Sequence, residues 1–167
     1  NEISLQKFYV SGMSSTLDGI EKVDAPTTAL HDFKQLTKVG LSLSVVFSSV
    51  AGYLLGAEEV QLTTLLLLAL GGYLMVGASN ALNQVIEKDT DSLMKRTQNR
   101  PIPKGRMSVA TALSIAVAFA LVGIGILYAI NPKSALFGAV SIFLYACVYT
   151  PLKPITPLAV FVGAFPG

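Results

Sequence analysis

Polar and apolar positions in this chain fall into long separate blocks instead of alternating at the period of an amphipathic helix or strand. Val39 to Ala57 carries no Asp, Glu, Lys or Arg, and neither do Val60 to Ile86, Met107 to Pro132 or Ser134 to Leu152. A helix needs about 20 apolar residues to cross the hydrocarbon core, with a range near 17–25, and each run is long enough. The pattern predicts an all-α, polytopic transmembrane bundle with spans near 39–57, 61–87, 108–130 and 134–150, the fourth stopped by Pro151. A further apolar segment over 155–167 is too short to cross and reads as the truncated start of a fifth span. Ahead of the first run, "TTALHDFKQLTK" spaces Leu30, Phe33 and Leu36 helically beside Lys34 and Lys38, which predicts a short interfacial helix. Residues 1–28 are polar and expected to be disordered. Within them "MSSTLDG" reads as a natural start, making Met13 the expected initiator, and no basic stretch followed by an apolar one marks a signal peptide.

Composition sharpens the membrane reading. Of 167 residues, 52% are hydrophobic and only 13% charged, against roughly a quarter charged in soluble domains. The net charge of +2 matters less than its distribution. Lys34 and Lys38 precede the first span, Lys88, Lys95, Arg96, Arg100, Lys104 and Arg106 lie between spans two and three, and Lys153 follows the fourth. The opposite side holds only Glu58, Glu59 and Lys133. Because cytoplasmic loops are enriched in Lys and Arg, the N-terminus, the loop over 88–107 and Lys153 are all expected on the cytoplasmic face. Bases that adjoin membrane helices give no support to nucleic-acid binding. Cys147 is the single cysteine, so it forms no internal disulfide or metal cluster and is expected to pack a helix.

The acids of "NQVIEKDTDSLMKRTQNRPIPKGRMS" (Asn83 to Ser108) are its informative feature. Asn83, Glu87 and Asp91 are spaced i, i+4, i+8, so each is offset by only about 40° around a continuing helix. One stripe of oxygen donors results, suited to Mg²⁺, a hard cation that takes one or two carboxylates plus substrate phosphates. A helix C-terminus disfavours acids, so something cationic is expected to compensate them. Spacing alone leaves two readings level: a metal stripe, or a solvated loop whose acids pair with nearby bases. The bases are what topology demands of any polytopic protein, yet arginine is also the preferred fork for phosphate oxygens.

Taken together, "NQVIEKDTD" resembles the first N-x-x-x-D/E-x-x-x-D motif of the UbiA superfamily of intramembrane prenyltransferases. The longer stretch through "MKRTQNRPIPKGRMS" is similar to its haem O synthase branch, and "VYTPLKPITPLAVFVGAFPG" contains a Y-x-x-x-K element, Tyr149 to Lys153. The resemblance covers about Lys34 to Gly167. It implies a UbiA-like fold, of which residues 29–167 form the N-terminal half. It also implies farnesyl transfer from farnesyl diphosphate to a vinyl group of haem b, giving haem O and pyrophosphate. Asn83, Glu87 and Asp91 are then the catalytic residues that bind Mg²⁺ and diphosphate. Arg96 and Arg100 contact the diphosphate, with Lys104 and Arg106 as weaker candidates, and Tyr149 and Lys153 close the site. Implied partners are the lipid bilayer and other proteins of haem biosynthesis or terminal-oxidase assembly, in a bacterial inner membrane ahead of a mitochondrial one. The family's second acidic motif has no match after Lys153, so these residues are expected to hold half a site and to be inactive alone. Two alternatives stand beside this reading: a UbiA-type enzyme with a quinone-precursor aromatic acceptor, and a transporter or scaffold fragment whose loop is only a topology signal.

Other residues are weighed and set aside. His31 is the single histidine, and an exposed surface role outweighs haem ligation. Asn80 is expected to pack helices. Phe119, Tyr128, Phe137, Phe143 and Tyr145 are expected at lipid or helix contacts ahead of a prenyl channel. Gly163-x-x-x-Gly167 is a candidate packing face.

Overall fold

The computed structural model describes residues 28–164, and every regular element among them is helical. The expectations for the N-terminal 1–27, Met13 included, and for Gly167 lie outside the described residues. Helix α1 (Ala29–Thr37) is capped by Thr28, whose hydroxyl accepts from the His31 N–H at 3.3 Å. Asp32 occupies its first turn, where the helix dipole favours an acid. At Lys38 the backbone turns left-handed, with φ 48°, and α2 (Val39–Gly56) departs directly. Helix α3 (Leu62–Ile86) follows, then short α4 (Lys88–Leu93) and a run of turns. Ser108 caps α5 (Val109–Ile130) by accepting from the Thr111 N–H at 3.0 Å. In the tight turn to α6 (Pro132–Phe143), the Asn131 side chain accepts from Lys133 N–H, and Pro132 fills the first helical position, where its missing N–H costs nothing.

Pro151 does not stop the fourth long helix. A π-helical segment, Leu144–Tyr149, leads into α7 (Thr150–Leu152), and the apolar helix runs unbroken from Pro132 to Leu152. A proline lacks an N–H and crowds the carbonyl four residues back, here that of Cys147. Widening the preceding turn relieves that crowding: the Tyr145 carbonyl accepts from the Thr150 backbone N–H five residues on, and the Thr150 hydroxyl lies 2.7 Å from the same carbonyl. Helix α8 (Leu158–Gly163) then folds back on the π segment, because Gly163 lets it close on Tyr149: a Cβ there would lie 2.9 Å from the ring.

Four of these helices, Val39–Gly56, Leu62–Ile86, Val109–Ile130 and Pro132–Leu152, are long and apolar enough to span a bilayer. Helix α3 is central, touching α1, α2, α5 and α6. Without a hydrophobic drive between helices in lipid, close approach of small residues supplies the contact. Gly77 faces the Phe119 ring, Gly71 faces Leu127, and Ala81, Ala112 and Ala116 pack together with Leu36 and Ile102. The outer surface is apolar: Phe47 and Phe137 are at least 70% exposed, as a lipid-facing surface requires. Tyr128 and Phe143 point outward too, and Cys147 is exposed on the π segment instead of packing a helix contact.

Candidate functional site

The buried polar side chains gather at the end of the bundle where α3 meets the charged loop. Glu87 joins α3 to α4 with φ −86° and ψ 6°, a break in regular helix. Hydrogen bonding nevertheless continues across it, from Glu87 N to Asn83 O at 2.9 Å and from Asp91 N to Glu87 O at 2.7 Å. Asn83, Glu87 and Asp91 therefore stay on one side although Asp91 belongs to a separate helix. Asn83 lies deepest, only 3% exposed. Its Nδ2 donates to Glu87 Oε2 at 2.8 Å, and its Oδ1 accepts from the Thr150 hydroxyl at 3.0 Å. Lys153 Nζ reaches Glu87 Oε1 at 3.0 Å, and Arg100 pairs with Asp91. The ends of the second and fourth long helices thus meet through side chains more than sixty positions apart in sequence.

These groups open onto a cleft of about 360 Å³ lined by Glu87, Asp91, Arg96, Arg100, Thr150 and Lys153, among others. Asn83 stands behind it as an orienting group. Tyr149 faces an adjoining cleft that shares Lys153 and Pro154, its ring 5.3 Å from that of Tyr145. Two of the sequence candidates lie elsewhere. Lys104 is exposed on an outer turn of the loop, away from the cleft lining. Arg106 turns toward α1, where its Nε donates to Asp32 Oδ1 at 2.8 Å.

Two residues absent from the sequence candidates belong to the description. Thr150 buttresses Asn83, and its only signal was a hydroxyl just before Pro151. Lys38, read from sequence as a topology marker, stands within electrostatic reach of Arg100, Glu87, Lys153 and Asp91. Burial is the main cause that lowers its pKa from the usual lysine value, aided by Arg100 and Lys153 and opposed by Glu87 and Asp91. The left-handed turn that aims Lys38 is held from α3. Asn80 Nδ2 donates to the Thr37 carbonyl at 3.3 Å, Gln84 Nε2 to those of Gln35 and Leu36 at 3.1 and 2.8 Å, and Ser42 adds a bond to Thr37 O at 2.9 Å. Asn80 thus acts in helix packing. His31 is exposed on α1.

Chemically, the site offers oxygen donors from Asn83, Glu87 and Asp91 and a surplus of cations around them. Among the described residues no group of three His, Cys, Asp or Glu could hold a metal by itself. Two carboxylates and an amide suit a hard divalent cation whose remaining ligands come from a phosphate-bearing substrate. Beneath this end, a second cleft of about 420 Å³ runs between the helices, lined by Leu68, Gly72, Met75, Leu127 and Gly138, with Asn80 and Tyr145 also on its wall. Tyr145 is the one aromatic of the five candidates that lines it; Phe119 instead packs edge-on to Phe33, ring centroids 5.9 Å apart.

A family model for UbiA prenyltransferases matches residues 45–167. The chain belongs to the UbiA prenyltransferase family. With its long apolar helices, this makes it a multi-pass membrane protein. Within the UbiA family it is 68% identical over 140 residues to a protoheme IX farnesyltransferase of Flavobacterium psychrophilum, covering 82% of this chain and 47% of that protein. Against the enzyme of the same name from Christiangramia forsetii it is 65% identical over 138 residues, 83% of this chain and 46% of the relative. The human mitochondrial protoheme IX farnesyltransferase is 39% identical over 134 residues, 80% of this chain and 30% of that protein. The chain therefore spans about half the length of these bacterial relatives. No solved structure gives a significant match.

Proposed function

We propose that the full-length protein bearing these residues transfers a farnesyl group from farnesyl diphosphate to a vinyl group of haem b, giving haem O and pyrophosphate. The observation that carries this reading is the cleft itself: two carboxylates, each already engaged by a cation, with Arg96 beside them, in a UbiA-family chain similar to protoheme IX farnesyltransferases. Arg96, Arg100 and Lys153 hold the diphosphate. They stabilise the charge that builds on it as the allylic C–O bond breaks and the electron pair leaves on oxygen. Mg²⁺, when bound, would be held by Glu87 and Asp91 with Asn83 orienting Glu87 from behind, and would supply further neutralisation of the leaving group. Thr150 keeps the Asn83 oxygen oriented, while Tyr149 and Lys153 close the site from the fourth helix. The apolar cleft along Met75 and Leu127 suits the isoprenoid chain and keeps water from the allylic cation. That carbon bonds to the terminal vinyl carbon; water then adds to the neighbouring carbon and gives up a proton, leaving a hydroxyethylfarnesyl side chain. The charged end faces the cytoplasm of a bacterial cell, at its inner membrane.

Full-length protein in membranes, given farnesyl diphosphate with haem b or an aromatic acid in parallel, tests this by mass spectrometry of the pigments. Haem O is the expected product. A prenylated aromatic acid assigns the quinone-type acceptor instead. Absence of both products, with prenyl-diphosphate binding unchanged when Asn83, Glu87 and Asp91 are all replaced by Ala, overturns the enzyme reading.

A further inference from the structure

Arg106 looks from its sequence like one more phosphate contact, but its guanidinium is committed elsewhere. Nε donates to Asp32 Oδ1 at 2.8 Å, and Nη2 donates to Gln35 Oε1 at 3.1 Å and to the Asn99 carbonyl at 2.9 Å. Asp32 is only 5% exposed. A fork that spans a carboxylate, an amide and a backbone carbonyl uses the planar donor set lysine lacks.

The surrounding loop is built to deliver it there. Gly105 takes φ 71°, and the N–H groups of Arg106 and Met107 both donate to the Pro101 carbonyl, at 2.9 and 3.1 Å. This turn folds Arg106 back over Asn99. Below it, Ile102 inserts between α1, α3 and α5 against Leu36, Ala81 and Ala112. Helix α1 is in turn fixed to α3, through Gln84 bonds to the Gln35 and Leu36 carbonyls. The carbonyl that Arg106 grips belongs to the residue just before Arg100, whose side chain pairs with Asp91 in the cleft. Thr97 closes the other side of the loop, its hydroxyl donating to the Asp91 carbonyl at 3.1 Å. A continuous set of contacts therefore runs from the interfacial helix to a cleft arginine.

We propose that Arg106, through Asp32 and Gln35 of the interfacial helix, is a positioning residue that sets the cleft arginines in place and does not itself touch the diphosphate. This rests on the reading of the cleft as a prenyl-diphosphate site. Asp32 and Gln35, far from that cleft in sequence, become determinants of diphosphate affinity.

The test is equilibrium binding of labelled farnesyl diphosphate, without acceptor, to the full-length protein in detergent, paired with limited trypsin digestion of the loop bearing Lys95, Arg96 and Arg100. Asp32→Asn and Arg106→Gln are each expected to weaken binding about tenfold, the scale of a modest misplacement of binding groups. Both are expected to speed loop cleavage, and the double variant to be no worse than either single one, because both remove the same coupling. Asp32→Glu retains the carboxylate and should restore most of the affinity. If Asp32→Asn does not fold, Gln35→Ala, which removes one 3.1 Å contact, should still give a few-fold loss. The proposal is overturned if Arg106→Gln weakens binding while Asp32→Asn and Gln35→Ala leave both affinity and cleavage unchanged, since Arg106 then acts on the ligand directly. Wild-type protein that binds no prenyl diphosphate sinks the proposed function instead, and faster cleavage in Asp32→Asn still reports on the clamp.

Discussion

The two ends of this helical bundle spend their burial on different things. At the loop end Asn80, Asn83, Gln84, Asp91 and Thr150 are all nearly inaccessible, and their side chains cross-link α1, α3 and α7 and tie α4 to the loop. At the other end the buried set is Met75, Leu127 and Ala135, packed where Gly71, Gly123 and Gly138 leave room. Buried polar groups are costly unless paired, so the first end accepts that cost and answers nearly every group with a partner, the Gln84 Oε1 being the exception among the described residues. The other end avoids it. Helices held only by small residues stay together whatever chemistry is present. A polar network confined to one end fixes side-chain positions, and those side chains face the cleft.

The comparison breaks most sharply at the acids. Asp91→Asn in the full-length protein is expected to lower product formation by at least about 100-fold, the scale of losing one preorganised charge-stabilising group. Membrane insertion should be intact. Wild-type turnover in that variant removes Asp91 from the site.

At the opposite end the expected effect is mainly on stability. A Cβ at Gly123 would lie 2.9 Å from Met75 Sδ and 3.3 Å from the Gly71 carbonyl oxygen. The thioether can shift but the carbonyl cannot, so Gly123→Ala should cost about 1–3 kcal/mol by overpacking. Thermal unfolding in detergent should record a lower midpoint, and because Met75 lines the apolar cleft, turnover per folded molecule should fall far less than in the Asp91 variant. A loss on the Asp91 scale at full folding would show that the apolar end matters to the chemistry as much as the polar end.

The membrane architecture was legible because charge-free runs of spanning length leave few alternatives in so short a chain. Sequence spacing also put Asn83, Glu87 and Asp91 on one stripe, and they share a side even though Glu87 interrupts the helix. Side-chain commitments were not legible. Arg100 and the weaker candidate Arg106 both read as diphosphate contacts in "NRPIPKGR", yet one pairs with Asp91 and the other with Asp32 on a distant helix. Nothing in local spacing tells them apart; the turn at Gly105 does. Pro151 misled for a related reason. Its effect on the helix depends on whether the preceding turn can widen, and here it does, the Thr150 N–H reaching back five residues to the Tyr145 carbonyl.

Lys38 tests the comparison at its finest, because it combines the polar end's electrostatics with a backbone cost. Its φ of 48° is the left-handed region, where an L-residue is worse off by about 1–2 kcal/mol. Its pKa lies below the usual lysine value of 10.5, mainly through burial. Between that lowered pKa and 10.5 the unfolded chain keeps a proton the folded chain has released, so this group makes stability rise with pH across that window. Below that window both states are protonated and the cost of burying the charge is fully present. Lys38→Met should therefore raise the unfolding midpoint most below that window, by an amount that shrinks as pH approaches 10.5. Lys38→Gly should raise it further by relieving the left-handed turn. Both should bind farnesyl diphosphate a few-fold more weakly, since a cation near Arg100 and Lys153 is gone. If Lys38→Gly is more stable and binds as well as wild type, the lysine serves topology alone, and the polar end stops at the α3–α7 contact.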